Sequence, residues 1–179
     1  MTRLKALNPE EVTGKTKELF NAVQAKLGVV PNMMRTMGNS DAVLEGYLNL
    51  SGALSHGKLS SRTGELIALA VSQSNSCDYC LAAHTFISGQ LLKTDTAVLL
   101  AARNGASEDN KTQAILKLAK VLISKNGLVN DADVDAAKTA GVTDAEIAEI
   151  VAHVALNVLT NYFNNTAGTE IDFPRVNAI

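Results

Sequence analysis

Proline is scarce in this sequence: three in 179 residues, at positions 9, 31 and 174. Between Pro31 and Pro174 no proline interrupts the chain, which leaves room for long helices. Strictly alternating apolar and polar runs are missing too, which argues against strands. Charge of one sign is not in excess: 16 Lys and Arg face 18 Asp and Glu, a formal net charge of −2. With no basic stretch to neutralise phosphates, nucleic acid is not an expected partner. The longest apolar stretch is broken by His153 and Asn157, so no membrane span is expected. The opening MTRLKALNPEEV lacks the apolar core of a secretory signal. These absences together lead us to expect a cytoplasmic protein. Two cysteines are too few for a disulfide scaffold.

Alanine, leucine and capping residues are plentiful. The pattern predicts one all-α domain over 1–179, with a core motif at about 40–125 and C-terminal helices within 130–166. Helices are expected from near Pro9 to Gly28, over 41–55, over 62–73 after a turn at 55–61, and from Cys77 to about Leu92. Further helices are expected from Thr94–Asp95 to Gly105, from Ser107 to Gly127, over 131–140 and over 144–165. VVPN reads as a loop, and Met33, Met34 and Met37 as packing of a short helix. Ser74-Asn-Ser76 offers N-cap oxygens to the helix that follows. Thr143 and Glu146 have the spacing of a capping box. RTGELIALAVSQSNSC and TDAEIAEIVAHVALNV each place a glutamate early on a long apolar helix, a faint internal echo. The tail, 168–179, reads as irregular and free to pack on a neighbour. On helix 144–165, His153, Asn157 and Asn161 fall at i, i+4 and i+8. They form one polar line that needs a polar contact, a site or an interface.

Both cysteines sit in SNSCDYCLAAH. On a helix, Cys77 and Cys80 lie at i and i+3, and Cys80 and His84 at i and i+4, so all three share one side. Unpaired N–H groups and the helix dipole favour a thiolate in the first turn. That argument alone makes Cys77 the more acidic thiol, while His84 can take the proton of Cys80. Glu65 is a charged residue inside the apolar run GELIALAV. It is costly to bury without a partner, and it can orient His84 or hold a water against it. A salt bridge from Glu65 to Arg62 or Lys58 is the plainer alternative. A C-x-x-C pair suits redox chemistry: a thiolate attacks a peroxide O–O bond and becomes a sulfenic acid, and the second cysteine condenses with it. Zinc held by Cys77, Cys80 and His84, with Glu65 or His153 as fourth ligand, is a second reading. Two inert buried cysteines are a third. Tyr47 and Tyr79 can donate an O–H near the site, although Tyr79 should point to another helix face. His153 reads as a core group or an accessory one, and His56 as an exposed turn residue.

Glu65 followed by Cys77-Asp-Tyr-Cys80-Leu-Ala-Ala-His84, the pattern E-x11-C-x-x-C-x3-H, resembles the alkylhydroperoxidase D-like branch of the carboxymuconolactone decarboxylase superfamily. VPNMMRTMGNSDAVLEGYLNLSGAL and TDAEIAEIVAHVALNVLTNYFNN are similar to its peroxidase-related members. The resemblance implies an all-helical homo-oligomer, a dimer, trimer or hexamer. It implies a thiol peroxidase or disulfide oxidoreductase that reduces hydroperoxides without metal or other cofactor. Cys80 would then be the peroxidatic thiol, Cys77 the resolving one, and His84 and Glu65 the proton relay. A lipoyl-bearing or thioredoxin-like protein would return the pair to the dithiol. One departure stands out: the best-characterised branch has a relay histidine where this chain has Tyr79. Other activities fit the same residues, namely a helical redox sensor without turnover, or a lyase acting on a small carbon acid with Glu65 and His84 as bases.

Overall fold

Short polar residues and glycines set the helix ends. A computed structural model describes residues 1–177, and the last two positions of the expected tail lie outside it. Among the described residues nine α-helices follow in order: α1 Gly14–Leu27, α2 Asn32–Met37, α3 Asp41–Leu54, α4 Ser61–Ser74, α5 Asp78–Phe86, α6 Thr96–Arg103, α7 Asn110–Ser124, α8 Asp131–Thr139 and α9 Asp144–Ala167. A π-turn, Ile87–Leu91, extends α5. No strand occurs among the described residues.

Ser40, Ser60, Asp109, Asn130 and Thr143 each accept a backbone N–H with the side chain at the N-cap. The expected capping box is present: Thr143 accepts from Glu146 N at 3.2 Å, and Glu146 accepts from Thr143 N at 2.8 Å. Gly28 closes α1 in the left-handed region at φ 77°, where its N–H reaches Gln24 O at 2.8 Å. A side chain there would be strained, whereas glycine is not.

Several expectations shift. Helix α1 begins at Gly14, not Pro9, because residues 9–11 form a turn. Helix α7 is capped by Asp109 rather than opened at Ser107. The Ser74-Asn-Ser76 stretch caps nothing ahead of it. Ser74 ends α4 and donates to Ala70 O at 2.9 Å, and Ser76 takes a φ of 50°. Cys77 itself is the N-cap of α5. The internal echo does not extend to function, since Glu146 caps α9 and pairs with Lys111 at 2.8 Å, while Glu65 caps nothing.

Helix α4 runs through the middle, against α5, α6, α7 and α9. Its Ile67, Leu69, Ala70 and Val71 are fully buried. Burying a Leu, Ile or Val side chain stabilises by roughly 1.5–3 kcal/mol, so α4 anchors the main core formed with α6, α7, α8 and α9. A second apolar cluster joins Phe20, Met33, Met34, Met37 and Leu44 to the Cys77–Ala83 segment. The methionines thus pack as expected from a short helix. The tail packs back on its own chain. Asp172 accepts from Asn32 N at 2.7 Å, and Asn177 O accepts from Arg103 at 2.9 Å. Phe173 lies edge-on to Tyr79 with centroids 5.7 Å apart.

Candidate active site

Cys77 and Cys80 are joined as a disulfide, with Cα atoms 5.3 Å apart. The chain makes this pair at the start of α5. Cys77 has an extended backbone at the N-cap, and its Sγ accepts the Cys80 N–H at 3.3 Å. A sulfur thus takes the place that a serine or aspartate oxygen usually fills. Cys77 is 0% exposed and Cys80 2%.

A cavity of about 460 Å³ lies between the N-terminal helices, α4, α5, α9 and the tail. Cys80 lines it, together with Glu65, His84, Tyr47 and His153. Cys77 is not among its lining residues. The rest of the wall is largely apolar, with Met33, Met34, Leu48, Ile87, Leu156 and Phe173.

Glu65 on α4 reaches His84 on α5: Oε2 stands 2.9 Å from Nδ1, across 19 residues of sequence. This replaces the expected alternative, a salt bridge to Arg62 or Lys58. Ser88, 1% exposed on the π-turn, donates to the same Oε2 at 3.4 Å. Burial acts to lower the His84 pKa, but the charge and hydrogen bond of Glu65 outweigh it and hold the imidazole above its ordinary value. With Nδ1 committed to Glu65, Nε2 is the nitrogen left for chemistry in the cavity.

Tyr79, expected on another helix face, lines the same cavity as Cys80 and packs in one cluster with both cysteines. Its hydroxyl accepts from Met33 N at 3.1 Å, and burial pushes its pKa well up. Burial raises the Tyr47 hydroxyl to about 12, with the Glu65 charge adding to it. His153 stands against Gly64 in the cavity wall, and its buried Nε2 has no partner. Burial lowers its pKa, against the opposing charges of Glu149 and Glu65. His56 is exposed, as expected. Among the described residues no three His, Cys, Asp or Glu side chains converge as a metal site requires. The two sulfurs are closed on each other and His84 Nδ1 is held by Glu65.

The polar line on α9 continues one turn further than the sequence suggested. Asn157 donates to His153 O at 2.8 Å, while Asn161 accepts from Asn75 at 3.0 Å and donates to Ser72 Oγ at 3.3 Å. Next comes Asn164, whose Nδ2 lies 3.3 Å from Cys80 Sγ. Sequence reasoning missed Asn164: the series His153, Asn157, Asn161 continued at its own spacing reaches Asn165, which donates to Asn75 O at 3.0 Å, so the spacing did not single Asn164 out.

Residues 41–121 match the model of the carboxymuconolactone decarboxylase family. Among solved structures, an uncharacterized peroxidase-related protein from Ralstonia eutropha JMP134, described as an alkylhydroperoxidase AhpD core, is similar at 26% identity. It has a TM-score of 0.85, over 96% of this chain and 92% of that one. A peroxidase-related protein from Silicibacter sp. TM1040 superposes with TM-score 0.82 at 24% identity, over 94% and 91% of the two chains. The debrominase Bmp8, in complex with 2,3,4-tribromopyrrole, shares the fold with TM-score 0.80 at 18% identity, over 96% and 92%. No curated protein matches the sequence. Residues 41–121 thus carry the similarity to the carboxymuconolactone decarboxylase family, and the likeness of fold to an alkylhydroperoxidase AhpD core extends over nearly the whole chain.

Proposed function

We propose that this protein is a dithiol-dependent peroxidase. The observation that carries the reading is that Cys80, His84 and Glu65 share the wall of one cavity while Cys77 stands outside it. The cavity thus favours Cys80 over Cys77 as the attacking thiol, against the first-turn dipole argument. In the reduced pair the Cys80 thiolate attacks the outer oxygen of a hydroperoxide. An S–O bond forms, the O–O bond breaks, and the alkoxide takes a proton from the His84 imidazolium that Glu65 holds in place. Cys77 then condenses with the Cys80 sulfenic acid, releasing water and closing the disulfide. An external dithiol, carried by a lipoyl-bearing or thioredoxin-like partner, takes over the disulfide and restores the pair. The mechanism needs neither a metal nor an organic cofactor.

The apolar wall also suits a second substrate class. A halogenated ring could be reduced there by the same two electrons: the C–Br carbon gains hydrogen, bromide leaves, and the thiols end as the disulfide. A homo-oligomer is proposed as the working form, because α9 carries an exposed apolar stripe of Val151, Leu159 and Tyr162.

The test is consumption of cumene hydroperoxide and of hydrogen peroxide with dihydrolipoamide or reduced thioredoxin, with a bromopyrrole as a parallel substrate. Wild type should turn over a peroxide. Cys80→Ser should not, and Cys77→Ser should stop at a sulfenic acid trapped by dimedone. Full peroxide activity in the double cysteine variant would end the proposal, and turnover of the bromopyrrole alone would favour the second class.

A further inference from the structure

Cys80 Sγ has one side-chain neighbour that no redox motif includes. Asn164 Nδ2, from the last turns of α9, lies 3.3 Å from it, across 84 residues of sequence. Both groups are buried: Asn164 is 3% exposed and Cys80 2%. A disulfide sulfur carries no hydrogen, so only the amide N–H can make this bond, and the carboxamide has turned its nitrogen to the sulfur. The cost is visible on the other side, where Asn164 Oδ1 is buried with no partner. A buried polar atom left unpaired is unfavourable and calls for an explanation. A leucine of similar size would avoid that cost, so packing does not explain the asparagine.

We propose that Asn164 donates the hydrogen bond that stabilises the Cys80 thiolate once the disulfide opens. This rests on the reading that Cys80 is the reacting thiol. A disulfide sulfur is a weak acceptor, whereas a thiolate is a strong one, and a hydrogen bond to an ionised acceptor is roughly twice as strong as a neutral one. The bond to Asn164 therefore tightens on reduction, and Cys80 ionises more readily. The two sulfurs have separate donors: the backbone N–H of Cys80 serves Cys77, and Asn164 serves Cys80. This arrangement answers the first-turn argument that would make Cys77 alone the acidic thiol. Cys80 sits a turn deeper, where the dipole is weaker, and receives its stabilisation from α9 instead.

The titratable and charged groups facing Cys80 and Asn164 are Lys26 on α1, Tyr47 on α3, Glu65 on α4, Asp78, Tyr79 and His84 on α5, and His153 on α9, with Glu170, Asp172 and Arg175 of the tail. None changes in the variants below.

The experiment measures the ionisation of Cys80 directly. Cys77→Ser keeps an N-cap oxygen and leaves one thiol. The rate at which iodoacetamide alkylates Cys80 is followed against pH, alone and with Asn164→Leu or Asn164→Asp. Asn164→Leu should move the midpoint up by about one pH unit, which slows alkylation about tenfold at a fixed pH below both midpoints. Asn164→Asp keeps the shape, removes the donor and adds a negative charge, so its midpoint should rise further. If both variants melt as cooperatively as the parent and their midpoints are unchanged, Asn164 has no such role. Should neither variant fold, the Cys77→Ser parent decides by NMR: the Asn164 side-chain amide resonances should titrate with Cys80, and flat resonances overturn the assignment. None of these readouts uses peroxide, so loss of the peroxidase reading and loss of this one are distinguishable.

Discussion

Glu65 Oε2 and His84 Nδ1 are 2.9 Å apart, and they join α4 to α5 at the wall of the cavity that Cys80 lines. Neither residue has another ionic partner among the described residues, so this carboxylate is what favours the charged imidazole.

Removing that carboxylate should therefore lower the His84 pKa. In the folded protein the value is raised by Glu65 against burial. The stabilisation it supplies is full below the unfolded value of about 6.5 and is lost as pH rises through the folded pKa. In Glu65→Gln only burial remains, so the His84 Cε1–H resonance should titrate below about 6.5. The alkaline fall in peroxide activity should move to lower pH with it. An unmoved resonance would separate Glu65 from the relay.

His153 should show the opposite sign. Burial lowers its pKa, so the unfolded chain takes up a proton that the folded chain refuses. Stability should then fall as pH drops from about 7.5 to about 5.5, through the unfolded value. His153→Leu also removes a buried nitrogen that has no partner. By urea unfolding, the variant should lose less stability than wild type over that interval. Equal losses would mean that His153 titrates normally.

Asn161 ties α9 to α4 and to Asn75 through two hydrogen bonds, and it is 0% exposed. Asn161→Ala leaves Ser72 and Asn75 short of partners in a buried place. The expected cost is about 1–3 kcal/mol, read from denaturant unfolding. A change below about 0.5 kcal/mol, the scale of an ordinary surface substitution, would show that water replaces the amide.

The stripe on α9 predicts assembly. Val151 is 47% exposed, Leu159 42% and Tyr162 60%, on a helix whose other face is buried. Sedimentation should give a mass above the 18.9 kDa chain. Leu159→Glu should bring it down to one chain without loss of helix content. A wild-type protein that sediments as a single chain would refute this.

How much of this was legible beforehand follows from the range of each interaction. The capping box at Thr143 and Glu146 is local, and it reads directly from residue type and spacing. The sharing of one side by Cys80 and His84 is also local, four residues along one helix. The Glu65 partner was not decidable from spacing, since Arg62, Lys58 and His84 were all in reach of the argument. Cys77 as an N-cap escaped notice because the serines just before it are better capping residues by type. The left-handed turn at Ser76 removes them from that role. Asn164 meets Cys80 only through the packing of α9 on α5, which no local pattern encodes.

The near-complete burial of both sulfurs has a kinetic consequence. On the proposed peroxidase reading, a slender dithiol arm reaching down the cavity meets this disulfide more readily than a broad protein surface does. The slow half of each cycle should then be the return of electrons. Under steady load most molecules would wait in the oxidised form, and throughput would follow donor concentration while staying indifferent to how much oxidant is present.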